Sequence, residues 1–257
     1  MQWFTAHPFL LMAVAGMLAG AMNALAGGGT FVTLPAMLAI GMPSVVANTS
    51  STVALYPAQL TTAWAYRDGL GPVGSVSLKV LLAATLAGGA VGATLLLLTS
   101  SDTFSRALPW LLLVATVMLG FGRQFGEALR RRWHIGPPAV IAIQLLLGVY
   151  GGYFGGAVGL MMMAAWGLLD NRSLKSFNAP RTLLVAAANT VAVLIFVTAG
   201  SVRWPEAAVM LAAAAVGGYF GAMLGRRANA QAVRWGTVII SAGITVAFFV
   251  KAYGRST

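Results

Sequence analysis

A glycine-dense stretch inside a hydrophobic run of membrane length occurs twice in this chain. The first copy spans Gly16 to Pro35: Gly16 and Gly20 in an apolar run, then Asn23, then Gly27-Gly28-Gly29-Thr30, then Phe31 to Pro35. The second, Gly148 to Met163, carries Gly148, Gly151, Gly152, Gly155, Gly156 and Gly159. Glycines three or four residues apart let two helices approach backbone to backbone. A Gly-Gly-Gly triplet opposes continuous helix, at about 1 kcal/mol per glycine relative to alanine. Inside a bilayer, broken backbone persists only where it is buried in protein or lines a wet cavity. The two stretches therefore predict both tight helix packing and a polar path.

Composition sets the class. The chain is 59% hydrophobic and 8% charged, against about 25% charged in a soluble domain. It reads as an all-α polytopic membrane protein. The first run, from Phe9, is not read as a signal peptide: no Lys or Arg precedes it, and its glycines belong to the repeat. With no cysteine, disulfide and thiolate chemistry are excluded. The net charge of +11 is read as cytoplasmic loops facing anionic lipid rather than as a nucleic-acid surface.

Five hydrophobic segments are expected in each half. In the first they are Phe9 to Ala26, Phe31 to Ile40, Val45 to Tyr66, Val76 to Leu98 and Ala107 to Phe121. In the second they are Ala139 to Gly156, Leu160 to Leu169, Asn178 to Ala199, Ala207 to Gly225 and Val233 to Tyr253. The second segment of each half is short for a span of about 20 residues. Asn48 and Thr52 recur as Asn178 and Thr182, an offset of 130. Gly88-Gly89-x-x-Gly92-Ala93 recurs as Gly217-Gly218-x-x-Gly221-Ala222, an offset of 129, and Gly20 recurs as Gly152, an offset of 132. The chain thus divides into a first repeat, 1–122, a basic linker, 123–138, and a second repeat, 139–257.

Charge orients the repeats. With the Arg130-Arg131-Arg132 linker inside and five passes per half, 12 of the 16 Lys and Arg fall inside and 4 outside. Four passes per half give only 9 to 7. The positive-inside rule favours five. An odd number of passes inverts one repeat relative to the other and leaves both termini outside. Lys251 and Arg255, near the outer C-terminus, run against the rule. Inverted repeats with interrupted helices characterise secondary transporters.

The ionisable residues point away from catalysis. Asp68, Asp102, Glu127, Asp170 and Glu206 all fall at segment ends or in loops, as do His7 and His134. Each acid is read as a solvated or headgroup-level partner of a nearby arginine. No general acid–base pair, metal cluster or cofactor motif is present. The polar residues within segments are neutral: Asn23, Asn48, Thr49, Ser51, Gln59 and Asn189 among them. Asn48 and Asn178 are read as the starts of equivalent segments, where helix N–H groups are free and the dipole is positive. Two such ends, with glycine backbone and Arg181 close by, would bind an anion. The blander reading is that Ser and Thr bond back to their own helices and that Met161 to Met163 simply pack.

These residues resemble the sulfite exporter TauE/SafE family. The pattern Gly-x-x-x-Asn-Ala-x-Ala-Gly-Gly-Gly-Thr with Pro35 and Ala47-Asn48-Thr49 carries the resemblance, as does Gly148 to Gly156 with Asn178-Ala179. It implies a bacterial inner-membrane carrier of small sulfur-containing anions such as sulfite or sulfonates, working without ATP. The family motif falls on Asn23, Gly27, Gly28, Gly29, Pro35, Asn48, Gly152, Gly155, Gly156 and Asn178. The second half departs from it, having no glycine triplet. The expected substrate site is Asn23, Gly27, Gly28, Gly29, Asn48, Thr49, Ser51, Gln59, Gly155, Gly156, Asn178, Arg181 and Asn189. The expected partners are a small anion and the bilayer, with no cofactor, metal or nucleic acid. The alternatives are a carrier of another small anion or carboxylate, an intramembrane lipid-modifying enzyme, or a structural subunit of a membrane complex.

Overall fold

The computed structural model describes residues 7–25, 28–132, 136–166, 174–225 and 230–254. Among them, ten α-helices follow one another, five in each half of the chain. The first half holds α1 (Pro8–Leu25), α2 (Thr30–Ala39), α3 (Ser44–Ala65), α4 (Leu78–Leu98) and α5 (Ser101–Arg132). The second holds α6 (Pro137–Tyr153), α7 (Val158–Trp166), α8 (Asn178–Thr198), α9 (Trp204–Gly225) and α10 (Ala230–Tyr253). The protein is an all-α polytopic membrane protein. Among the described residues, four stretches are long and apolar enough to span a membrane: Leu78–Leu98, Ser101–Gly122, Asn178–Thr198 and Trp235–Tyr253. The second helix of each half has 10 and 9 residues. At 1.5 Å per residue these reach about half of a 30 Å hydrocarbon layer.

One boundary differs from the sequence reading. Residues 123–132 belong to α5, which runs on to Arg132. The arginines there follow good helix-forming neighbours, and no Pro interrupts before Pro137. The chain then restarts at Gly136, with Pro137 at the first helical position, where its missing N–H costs nothing.

The helices form two compact units, each drawing on both halves of the sequence. The first comprises residues 1–58, 97–116 and 196–257; the second comprises 59–96 and 117–195. In the first unit, α1 lies directly on α9. A side chain at Gly20 would strike the Ala214 carbonyl oxygen, one at Gly217 the Met17 carbonyl oxygen, and one at Gly221 the Ala21 backbone. Contacts advance together along both helices, so α1 and α9 are parallel. In the second unit, α6 lies on α4 in the same way. Gly88 meets Leu145 and Val149, Gly92 meets Val149 and Tyr153, and Gly152 meets Gly89 and Ala93. This pair is parallel too. The first helix of each repeat therefore packs on the fourth helix of the other. Lipid gives no hydrophobic reason for helices to associate, so close backbone packing has to do it. Cα–H groups against carbonyl oxygens contribute about 0.5–1 kcal/mol each.

Each unit has its own core. In the second, Leu81, Val140, Val158, Met162, Trp166, Phe177 and Leu184 are buried together, with the Trp166 and Phe177 rings edge to face at 5.8 Å. A polar chain runs through this apolar interior. Trp166 Nε1 donates to Gln144 Oε1 (3.1 Å), Gln144 Nε2 donates to Thr85 Oγ1 (2.8 Å), and Thr85 Oγ1 donates to the Leu81 carbonyl (2.7 Å). It bolts α4, α6 and α7 together. In the first unit, Ala19, Leu55 and Ala214 pack with Val32.

Candidate substrate site

In each half the chain breaks between its first and second helices. In the first unit, Gly28 has φ +100°, a left-handed conformation that glycine alone adopts freely. Asn23, near the end of α1, turns its amide back: Oδ1 accepts from Gly29 N at 2.8 Å, just before α2. Gly29 sits against the Ala19 carbonyl, where a side chain has no room. Gly27 lies outside the described residues. One turn into α2, Thr33 is fully buried and its hydroxyl is hydrogen-bonded to Ser51 of α3.

The neutral cluster on α3 is almost wholly buried: Asn48 is 1% exposed, and Thr49, Ser50 and Ser51 are 0%. Its hydroxyls hold the protein together. Thr49 donates to the Ser201 carbonyl, and Ser50 Oγ accepts from Arg203 N at 2.9 Å. These bonds tie the α8–α9 connection to α3. Asn48 is not a helix start. α3 begins at Ser44, just after Pro43, and Asn48 is one turn inside. The backbone N–H groups around it are engaged in the helix, so the free-terminus argument does not apply there. Pro43-Ser44 is the start signal, and it directly precedes the apolar run from Val45.

Glu206 also differs from its sequence reading. It pairs with an arginine, Arg203 Nη2 at 2.7 Å, yet it is only 6% exposed rather than solvated. It lies in the first turn of α9, where the helix dipole favours a carboxylate.

In the second unit the break falls between α6 and α7. Gly155 has φ +80°, and Ala157 has φ +57°. A left-handed alanine costs about 1–2 kcal/mol. Gly156 makes room for the Phe154 ring, which a side chain there would strike. α7 begins at Val158, and its first N–H groups have no partner within the helix. Two side chains of α8 reach this break. The Arg181 Cγ and Cδ atoms lie 3.2 Å from where a Gly159 side chain would start. Asn189, 1% exposed, places Oδ1 at 3.7 Å from the same point on Gly155, and its Nδ2 donates to the Val185 carbonyl at 3.0 Å. Asn178 is the first residue of α8, as the sequence suggested, and is half-buried. Gln59 is also half-buried in this unit, and its Oε1 has no hydrogen-bond partner among the described residues.

The expected site residues thus fall into two sets. Asn23, Gly28, Gly29, Asn48, Thr49 and Ser51 belong to the first unit; Gln59, Gly155, Gly156, Asn178, Arg181 and Asn189 belong to the second. At the offset of 130, Arg181 is the counterpart of Ser51 and Asn189 that of Gln59. Among these residues only Arg181 carries a fixed charge. Gln144 was missed by sequence reasoning. One glutamine in an apolar run has no pattern around it, and its partners Thr85 and Trp166 are distant in sequence.

Half-length helices after glycine breaks, in a duplicated all-α membrane chain, define a membrane transporter. The chain belongs to the sulfite exporter TauE/SafE family, whose model matches residues 12–248. It is 29% identical to the probable membrane transporter protein YfcA of Escherichia coli (strain K12), over 98% of this chain and 94% of that protein. It is also 29% identical to the probable membrane transporter protein ORF9 of Sinorhizobium sp, over 88% and 85%. A probable membrane transporter protein of Haemophilus influenzae is 26% identical, over 88% of each chain.

Proposed function

We propose that the protein is a secondary carrier that exports a small sulfur-containing oxyanion, sulfite or an organosulfonate, across the bacterial inner membrane. The observation that carries this reading is Arg181 lying across Gly159 at the start of α7. A helix start offers N–H groups and about half a positive charge. An arginine beside it adds a fixed charge and donors in the geometry an oxyanion accepts. Glycine backbone lets the anion come close. Asn189 turns its Oδ1 toward Gly155 while its Nδ2 serves Val185, so the donors for an anion come from backbone and Arg181. The family description supports sulfite or a relative of it. A carboxylate carrier would use the same features and is the second reading.

The helix directions support five passes per half. α1 and α9 are parallel, and the residues leading into α9 bond Thr49 and Ser50 near the start of α3. α1 and α3 then run the same way, and the short α2 is a return pass. With the charge asymmetry, this favours inverted repeats and both termini outside. A one-sided reporter fused to the C-terminus tests it; a cytoplasmic signal overturns this orientation.

Thermal shift of the purified protein tests the substrate. Sulfite, thiosulfate, sulfoacetate, taurine and sulfate are compared with acetate and succinate, since a ligand of the native state raises apparent stability. A rise confined to sulfur oxyanions is expected. A larger rise with the carboxylates favours the second reading, and no rise with any of them removes the anion assignment.

A further inference from the structure

A second polar feature of the first unit lies outside the glycine breaks. A cavity of about 240 Å³ lies between the start of α5 and the end of α10, lined by Asp102, Ser105, Arg106, Phe248, Lys251 and Ala252. Leu38 and Leu108 complete its wall. Asp102, Arg106 and Lys251 are all exposed, and none takes part in an ion pair among the described residues. Asp102 and Arg106 are four residues apart on one helix and so share a face.

An aromatic cluster adjoins the cavity. Trp110 Nε1 donates to the Tyr253 hydroxyl at 3.2 Å, and that hydroxyl donates to the Arg106 carbonyl at 3.0 Å. The Phe249 ring meets Trp110 edge-on at 5.1 Å and stacks on Tyr253 at 6.1 Å. Trp110 and Tyr253 are 55% and 47% exposed, and Val246 and Val250 of α10 are 61% and 63% exposed. Exposed Trp and Tyr beside exposed valines form the pattern of a membrane–water interface, with the charges at headgroup level and the apolar surface toward the acyl chains.

We propose that this cavity holds the headgroup of a phospholipid that bears an ammonium group. The phosphate diester takes the place between Arg106 and Lys251, and the ammonium faces Asp102. Two cations and one carboxylate match the charges of such a headgroup. A purely anionic headgroup would leave Asp102 opposed to it. Lys251 is one of the cations that count against the positive-inside pattern, and a bound phosphate gives it a role at this end of the molecule.

The full-length protein, stripped of lipid in detergent, is offered phosphatidylethanolamine or phosphatidylglycerol and followed by native mass spectrometry and thermal shift. Wild type is expected to retain phosphatidylethanolamine more strongly. Arg106→Gln with Lys251→Gln should lower retention of both lipids about thirtyfold, from the loss of two basic groups at the surface. Asp102→Asn should remove the preference while keeping retention, and Lys251→Arg should keep both. All three positions of substitution are on the surface, and equal elution on size exclusion checks that the variants fold. Stronger retention of phosphatidylglycerol by wild type overturns the proposal. So does unchanged retention in the double variant, and so does displacement of bound lipid by millimolar inorganic phosphate or sulfite, which would mark an ion site instead.

Discussion

At the break between α1 and α2, Asn23 accepts from Gly29 N and Ser51 bonds Thr33, so the polar groups are turned onto the protein. At the break between α6 and α7, the backbone turns through left-handed Gly155 and Ala157, and the counterpart of Ser51 is Arg181. The frames around the two breaks are alike: a first helix seated by glycines on a parallel fourth helix. The difference lies in a few side chains. One break is thus a closed joint and the other carries a charged side chain. A scaffold whose contacts are mostly backbone tolerates this, because changing Ser51 or Arg181 does not touch the helix–helix seams.

The largest effect should come from the shared frame. Gly20→Leu and Gly152→Leu each push a side chain into a carbonyl oxygen of the partner helix. Backbone cannot move aside as a side chain can, and each change should destabilise by on the order of 3 kcal/mol. Folded yield by fluorescence-detected size exclusion is the readout. Equal losses sustain the equivalence of the two seams; tolerance of one of them breaks it.

Next comes the charge. Arg181→Gln should weaken binding of the transported anion by roughly 10- to 150-fold, the cost of losing a hydrogen bond to a charged group. Ser51→Ala should change affinity less than about threefold, since its hydroxyl already serves Thr33. Calorimetry on the purified variants measures both. The same loss in both variants would show that the two breaks contribute alike.

A smaller effect tests the polar chain through Gln144 in the second unit. At the offset of 132 its central residue, Gln144, corresponds to Met12, which is apolar and fully buried. Gln144→Ala leaves the Trp166 N–H without its acceptor and should cost about 1–3 kcal/mol. Gln144→Met, copying the first repeat, strands the same partners but leaves no cavity, and should cost somewhat less than Gln144→Ala. Thermal unfolding checks the pair.

The smallest effects have opposite signs. Asn23→Ala removes the acceptor of the Gly29 N–H and should destabilise by about 1 kcal/mol. Ala157→Gly relieves a left-handed alanine and should stabilise by about 0.5–1 kcal/mol. Loss of stability at Ala157→Gly would mean that the second break is not held under strain.

Helix boundaries were legible to within a few residues at most segments. α4 ends at Leu98, α8 begins at Asn178 and α9 ends at Gly225, as the apolar runs indicate. A bilayer makes this so, because every backbone group inside it needs an intrahelical partner and the apolar run has to be as long as the layer. The breaks were legible for the same reason, glycine being the residue that leaves a helix at least cost. The site was legible only as a set of residue types. Thr49 and Ser51 were legible as polar residues of a membrane helix, but their partners, Ser201 and Thr33, were not. Asn48 looked like a helix start, but Pro43 had moved that start one turn earlier.

From the sequence alone came the membrane class, the duplicated order of five segments, the half-length second helices and the list of polar residues that could meet a substrate. These are local matters of hydropathy, period and glycine content. Only the tertiary structure decided that each compact unit takes its helices from both halves, that the first helix of one repeat seats on the fourth of the other, and that Arg181 reaches the start of α7 while Ser51 is spent on Thr33. Such pairings join residues far apart in the chain. They depend on which glycine faces which carbonyl once the helices are packed, and no local pattern in the sequence carries that information.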